Sequence, residues 1–317
     1  MSRREGGQTK IDCTKNPITQ ILDKAKNLSC DLFKNPFFLT MSAMYVFGKL
    51  AVNLYMGAKF TTALRSSFVG FILYLLACYC IHIFTNHCEP EQSSSAKKSY
   101  VVIGWVIITI NILFLEIQIN TGAIDGNILL WSELNENWKI LINGMVQRYE
   151  WIEGTGLVGW PYLILYVLIP ALLAICYRMK LPRIIGWQKA RVALPFVLLY
   201  IIDFAVIKGI SAKSMATLLA VTVWPAFGEE FLYRGVLQQA LLSMVKKPVT
   251  AIVLTSILFA ASHIPIYVLA ASGSVLLGWS ALLPIMLTSF FWGYGYYRTG
   301  VLWPWILIHA ISNLVGM

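Results

Sequence analysis

Charge is scarce in this chain. Asp, Glu, Lys and Arg make up 13% of its 317 residues, against roughly 25% in a soluble globular domain. No polar stretch is long enough to enclose a core of its own, which argues against a pair of soluble domains. Histidine is scarcer still, with four copies. None stands in an HExxH pair, so the zinc-binding helix of that class of metalloprotease is missing. The six cysteines (Cys13, Cys30, Cys78, Cys80, Cys88 and Cys176) include no CxxC pair. Zinc-ribbon and thioredoxin chemistry therefore fail on spacing, and free, mostly buried thiols are expected. The first 36 residues are polar and the first apolar run begins at Phe37, so no signal peptide is expected. No internal repeat is visible.

Apolar residues fill the space that charge leaves. The chain is 58% hydrophobic, with a mean hydropathy of +0.68. Apolar runs lie at 37–57, 66–85, 100–119, 156–177, 192–207, 216–244, 249–271, 274–297 and 301–316. Most reach the roughly 20 residues that cross a bilayer, where unsatisfied backbone forces a helix. The fold expected is an all-α polytopic membrane protein, a bundle of about 8–9 transmembrane helices with a buried polar active site. The run 37–57 carries Lys49 and Asn53 and could instead lie in the interface. Three parts are expected: a basic tail at 1–36, N-terminal transmembrane helices at 37–190, and a catalytic transmembrane core at 191–317.

The net charge of +10 does not read as a nucleic-acid footprint; no nucleic-acid partner is expected. It fits basic loops held against an anionic leaflet. Residues 1–36 hold seven Lys and Arg, and loop 178–191 holds five: Arg178, Lys180, Arg183, Lys189 and Arg191. Lys97-Lys98, Lys246-Lys247 and Arg298 fall on the same side. The long loop 120–155 has only Lys139 and Arg148 against five acids. This places loops 86–99, 178–191 and 245–248 in the cytoplasm and loop 120–155 outside. The localisation expected is integral and multi-pass, in a bacterial cytoplasmic membrane, with the lipid bilayer as partner.

The stretch AFGEEFLYRGVLQQALL, 226–242, sets Glu229, Glu230 and Arg234 in an apolar run. Each charge costs about 2.5–3.5 kcal/mol at a helix centre, so all three must face the interior. Glu230 and Arg234 are four apart with the acid first, the favourable order for an ion pair. Glu229 points about 100° away round the helix and needs a partner from elsewhere. His263 and His309 lie in apolar runs near the end of the chain; His82 and His87 flank the end of an earlier run and read as surface or interface residues. Glu230 precedes Lys246 by 16 residues and His263 follows Lys247 by 16. Folded as a hairpin, the acids and this imidazole reach the same depth, about 24 Å from the turn. Pro225, Gly228 and Pro265 place helix breaks beside both. His309 and Asn313 share a face of the last helix. Satisfied buried polar residues holding helices together would be the plain alternative. Asp203, Lys208, Glu116 and Asn111 lack matching spacing and read as helix-end or packing residues.

Three motifs stand in order: Glu229-Glu230-Phe-Leu-Tyr-Arg234, Phe259-Ala-Ala-Ser-His263 and His309-Ala-Ile-Ser-Asn313. Over about 190–317 the chain resembles the CAAX-processing and bacteriocin-immunity (CPBP) intramembrane endopeptidases, the family of the type II prenyl endopeptidase. The first 190 residues carry no such likeness. The resemblance implies peptide-bond hydrolysis in the membrane. Glu229 would be the general base and His263 would hold the attacking water. His309 and Asn313 would donate to the oxyanion, Glu230 and Arg234 would form a structural ion pair, and Phe259 would line the site. The substrate would be a protein tail or peptide precursor. No cofactor is expected, although Glu229, His263 and His309 could form a zinc site with an open position. The alternatives are that zinc-dependent protease and a non-catalytic immunity, scaffold or transport protein that keeps the motif residues. The hairpin spacing puts the site nearer the outer leaflet, which suits a tail or anchor of an exported protein better than a cytosolic one.

Overall fold

The computed structural model describes residues 16–85, 163–176, 181–245, 247–264, 267 and 275–316. Every element among them is helical. Loop 120–155, the run 100–119, His87, Pro265 and loop 86–99 lie outside the described residues.

Proline sets several helix starts, because its missing N–H and fixed φ suit the first turn. Helix α1 is Pro17–Phe33, capped by the Asn16 side chain, which accepts from the Ile18 N–H. Helix α2 is Pro36–Tyr55. Its cap, Asn35, is fully buried; it accepts from the Phe37 and Phe38 N–H groups and donates to Thr250 Oγ1 at 2.8 Å. Helix α3 is Phe60–Phe84. Residues 163–176 form α4, Trp187–Ala190 the single turn α5, and Leu194–Lys208 α6. Residues 212–244 run on as one long helix, α7. Helix α8 is Pro248–Ala261, α9 is Val275–Thr299 and α10 is Trp303–Val315.

Helices α2 and α3, at 20 and 25 residues, are long and apolar enough to cross a membrane; α8, α10 and the start of α7 are shorter apolar helices. Helix α9 is the centre of the bundle, with α8, α2 and α3 packed along it. Helix α10 lies against α6 and the first half of α7, and α4 lies against its second half. Neighbouring side chains press onto a helix where it carries glycine. A Cβ on Gly295 would run into the Trp305 ring, and one on Gly228 would sit 3.2 Å from Tyr166.

Helix α7 differs from the break expected at Pro225. It does not break. Its turns widen to the π form at Thr222–Ala226, around Pro225, and again at Phe231–Gln238. Proline cannot donate to the usual carbonyl, and a wider turn absorbs the loss while the helix continues. The two wide sections flank Glu229 and Glu230.

The basic segments gather at one end of the bundle. Arg298, at the end of α9, donates to Thr85 Oγ1 at 2.7 Å and to the carbonyls of Thr85 and His82. These are C-terminal carbonyls of α3 that no helical turn satisfies. Lys24 of α1 donates to the neighbouring Ile83 carbonyl at 2.9 Å. Asn35 and Thr250 join the starts of α2 and α8. The carbonyls of Arg183 and Ile184 accept from the N–H groups of Leu302 and Trp303, at the start of α10. His82 is half-buried and pairs with the Tyr294 hydroxyl.

Candidate active site

The ion pair suggested by spacing is present. Arg234 Nη1 lies 3.1 Å from Glu230 Oε1, and both side chains are fully buried. Arg234 also donates to Ser289 Oγ at 2.9 Å, which fastens α7 to α9. Its guanidinium sits 4.5 Å from the centre of the Phe259 ring and 5.5 Å from that of Trp292. Both aromatic faces favour the cation. A residue four further on continues the stripe: buried Gln238 donates to the Gly293 carbonyl at 2.8 Å.

His309 reaches this pair from α10. Its Nδ1 is 2.9 Å from Glu230 Oε1 and its Nε2 is 3.4 Å from Glu229 Oε2. One imidazole thus bridges the two adjacent acids. An ionised carboxylate only accepts, so Nδ1 donates to Glu230, while Nε2 and Glu229 Oε2 lie at ion-pair distance with no hydrogen bond between them. Arg234 faces Glu230 as its counter-charge, which is what burial of an acid demands. Trp292 stacks on this ring at 4.4 Å and 25°. Glu229 differs from its neighbours in one respect: its side chain keeps 14% exposure, while Glu230, Arg234 and His309 keep 0–2%. It is the acid that reaches the open side.

His263 follows the last turn of α8. Its Nδ1 lies 2.9 Å from the Phe259 carbonyl. A carbonyl can only accept, so Nδ1 carries the proton, and in the neutral ring Nε2 is left as an acceptor. The ring is partly exposed and stacks with Tyr267 at 6.2 Å. Phe259 is buried and joins the pieces: its ring lies 4.8 Å from that of His263 and 5.7 Å from that of His309. The structure therefore brings Glu229, Glu230, Arg234, Phe259, His263 and His309 around one centre. Asn313, one turn beyond His309 on α10, is exposed. Trp292, Ser289 and Tyr267 complete the setting and form no motif in the sequence. Ser289, Trp292, Gly293 and Tyr296 are spaced three and four apart on α9, which marks one helix face.

Among the described residues no group of three His, Cys, Asp or Glu side chains is placed to hold a metal ion. Glu229, His263 and His309 therefore do not form a three-ligand zinc site in this arrangement.

The fold and site define a helical protein with a buried glutamate–histidine–arginine centre. Residues 211–315, about a third of the chain, match the family described as type II CAAX prenyl endopeptidase, Rce1-like. This segment begins with α7 and ends with α10, so it contains every residue of the centre. No curated protein and no solved structure matches the chain.

Proposed function

We propose that this protein is an integral membrane endopeptidase that hydrolyses a peptide bond in a protein tail or peptide precursor, with Glu229 as general base. The observation that carries this reading is the buried chain Arg234–Glu230–His309–Glu229, with the second imidazole of His263 on the same phenylalanine. A purely structural cluster would have little reason to leave one acid and one imidazole edge open.

His263 Nε2 accepts from the water, and Glu229 takes a proton from it as the oxygen attacks the peptide carbonyl carbon. The carbonyl π pair moves onto oxygen. The Nε2–H of a His309 ring that carries both protons donates to that oxyanion, and the Asn313 amide donates from the next turn. Collapse re-forms the carbonyl and breaks the C–N bond, and the leaving amine takes the proton from Glu229. Glu230, neutralised by Arg234, holds His309 through Nδ1, so that the other nitrogen faces the reaction. No step calls for a metal.

The bilayer is the natural surrounding for this bundle. Large apolar side chains stay exposed along α2, α3 and α6, among them Phe47, Leu73, Leu76, Leu198, Leu199 and Val206. An apolar surface of this extent is a lipid or partner face. The collected basic end belongs in the cytoplasm by loop charge. His309 stands only six residues past Trp303, about 9 Å of helix rise from that end. Measured along α7, Glu230 stands 14 residues before Met244, about 20 Å. Since the two side chains touch, α10 begins well inside the level at which α7 ends. The site is then reached from the basic face by a shorter route than the hairpin spacing suggests, and a tail on that face becomes a reasonable substrate.

The test is cleavage of candidate tail peptides by purified protein in liposomes. The Glu229→Ala protein, folded by its thermal transition, should lose about 10²–10⁴-fold in rate. Equal cleavage by both proteins would favour the non-catalytic reading. Activity that survives metal stripping is expected; activity lost on stripping and restored by zinc would favour the zinc-dependent form.

A further inference from the structure

Helix α1 has no part in the centre, yet its pattern is the most amphipathic of the N-terminal helices. Ile18, Ile21, Leu22, Ala25, Leu28, Leu32 and Phe33 recur at three and four residues and form one stripe. Lys24 and Lys26 lie at the two edges of that stripe. The stripe is used in two ways. Leu28 and Leu32 are buried in the core, and Ser29 pairs with the Tyr79 hydroxyl of α3. Ile18, Leu22 and Phe33 stay 66%, 63% and 47% exposed.

Location adds a second observation. Helix α1 packs against the C-terminal part of α3, tied to it by Lys24 and the Ile83 carbonyl and by Ser29 and Tyr79, and it leads into α2 at Asn35. At the adjoining ends of those helices Phe37 of α2 and Phe84 of α3 are 46% and 71% exposed. Those residues lie at the ends of α2 and α3, the two helices among the described residues that are long and apolar enough to span. Residues 1–36 carry seven Lys and Arg against four acids, and Lys26 and Lys34 are exposed. An apolar stripe edged by lysines, set at the level where two spans end, is the pattern of a helix lying in the headgroup layer. Lysine stems cover the apolar edge while their ammonium groups reach the phosphates.

We propose that α1 is an interfacial helix that seats Ile18, Leu22 and Phe33 in the membrane surface and binds anionic headgroups through Lys26 and Lys34. This rests on the membrane reading above but not on the peptidase reading. The test places a benzoylphenylalanine photocrosslinker in the full chain in nanodiscs. It replaces Leu22, Asn27 on the polar face, or Leu73 of α3 in separate proteins, and adducts are read by mass. Lipid adducts are expected at 22 and 73 and not at 27. Yield at 22 should rise about two- to fivefold when a third of the phosphatidylcholine is replaced by phosphatidylglycerol, a rise that K26E/K34E removes. Lipid adducts at 73 with none at 22, or protein adducts at 22, would overturn the assignment of α1 alone. Absence of lipid adducts at both 22 and 73 would overturn the membrane reading itself. A yield at 22 indifferent to anionic lipid would leave the helix in the surface but refute the headgroup role.

Discussion

Helices α3 and α7 are both apolar, and the bundle treats them in opposite ways. In the apolar stretch of α3 only 17% of residues are buried, and in that of α2 only 28%. In α7 all eight residues from Phe231 to Gln238 are buried, and three of them carry polar or charged groups: Tyr233, Arg234 and Gln238. Hydropathy alone therefore misjudges what a helix is for. The first hairpin uses apolar residues on its outside, where a bilayer would receive them. The last four helices use apolar residues to shut water away from a set of charges, where each electrostatic contact is stronger.

That contrast can be broken by substitution. The largest effect is expected for Arg234→Met, which leaves Glu230 buried and without its cation; about 3–5 kcal/mol of stability should go, read as a fall in the thermal midpoint in detergent. Next is Gly295→Ala, where the new Cβ meets the Trp305 ring; overpacking of this kind costs about 1–3 kcal/mol, in the same assay. Arg298→Met removes the donors to the end of α3, and about 1–2 kcal/mol is expected, with earlier protease nicking near residue 85. Leu73→Ala, 60% exposed on α3, should change the midpoint by no more than about 0.5 kcal/mol in detergent. If Leu73→Ala costs as much as Gly295→Ala, the two regions do not differ as described.

Part of the site is legible in the sequence. The Glu230–Arg234 pair follows from spacing and order on one helix. Equal distances from Lys246-Lys247 bring the acids to the level of Phe259 in α8 and of His263 just beyond it. The bridging of both acids by His309 is not legible, because it depends on how α10 tilts across α7, some 79 residues away in the chain. Nor is Trp292, whose stacking on His309 looks like ordinary aromatic packing in sequence. Proline misleads in one place: Pro225 suggests a break, and the wider turns of α7 accommodate it instead. Periodicity places Asn313 on the His309 face; spacing says nothing of how open that turn is, and it is exposed. All-helical architecture follows from the apolar runs, while the number of spans depends on residues outside those described.

The most direct measurement is a double-mutant cycle in kcat/KM for tail-peptide cleavage, using Glu229→Gln, His263→Ala and the two together. Residues that act as a unit on one water are non-additive. The double variant should be no slower than the worse single variant to within about threefold, each single loss being about 10²–10⁴-fold. A double variant whose loss equals the product of the two would mean that Glu229 and His263 do not share a water, and the proposed centre would be wrong.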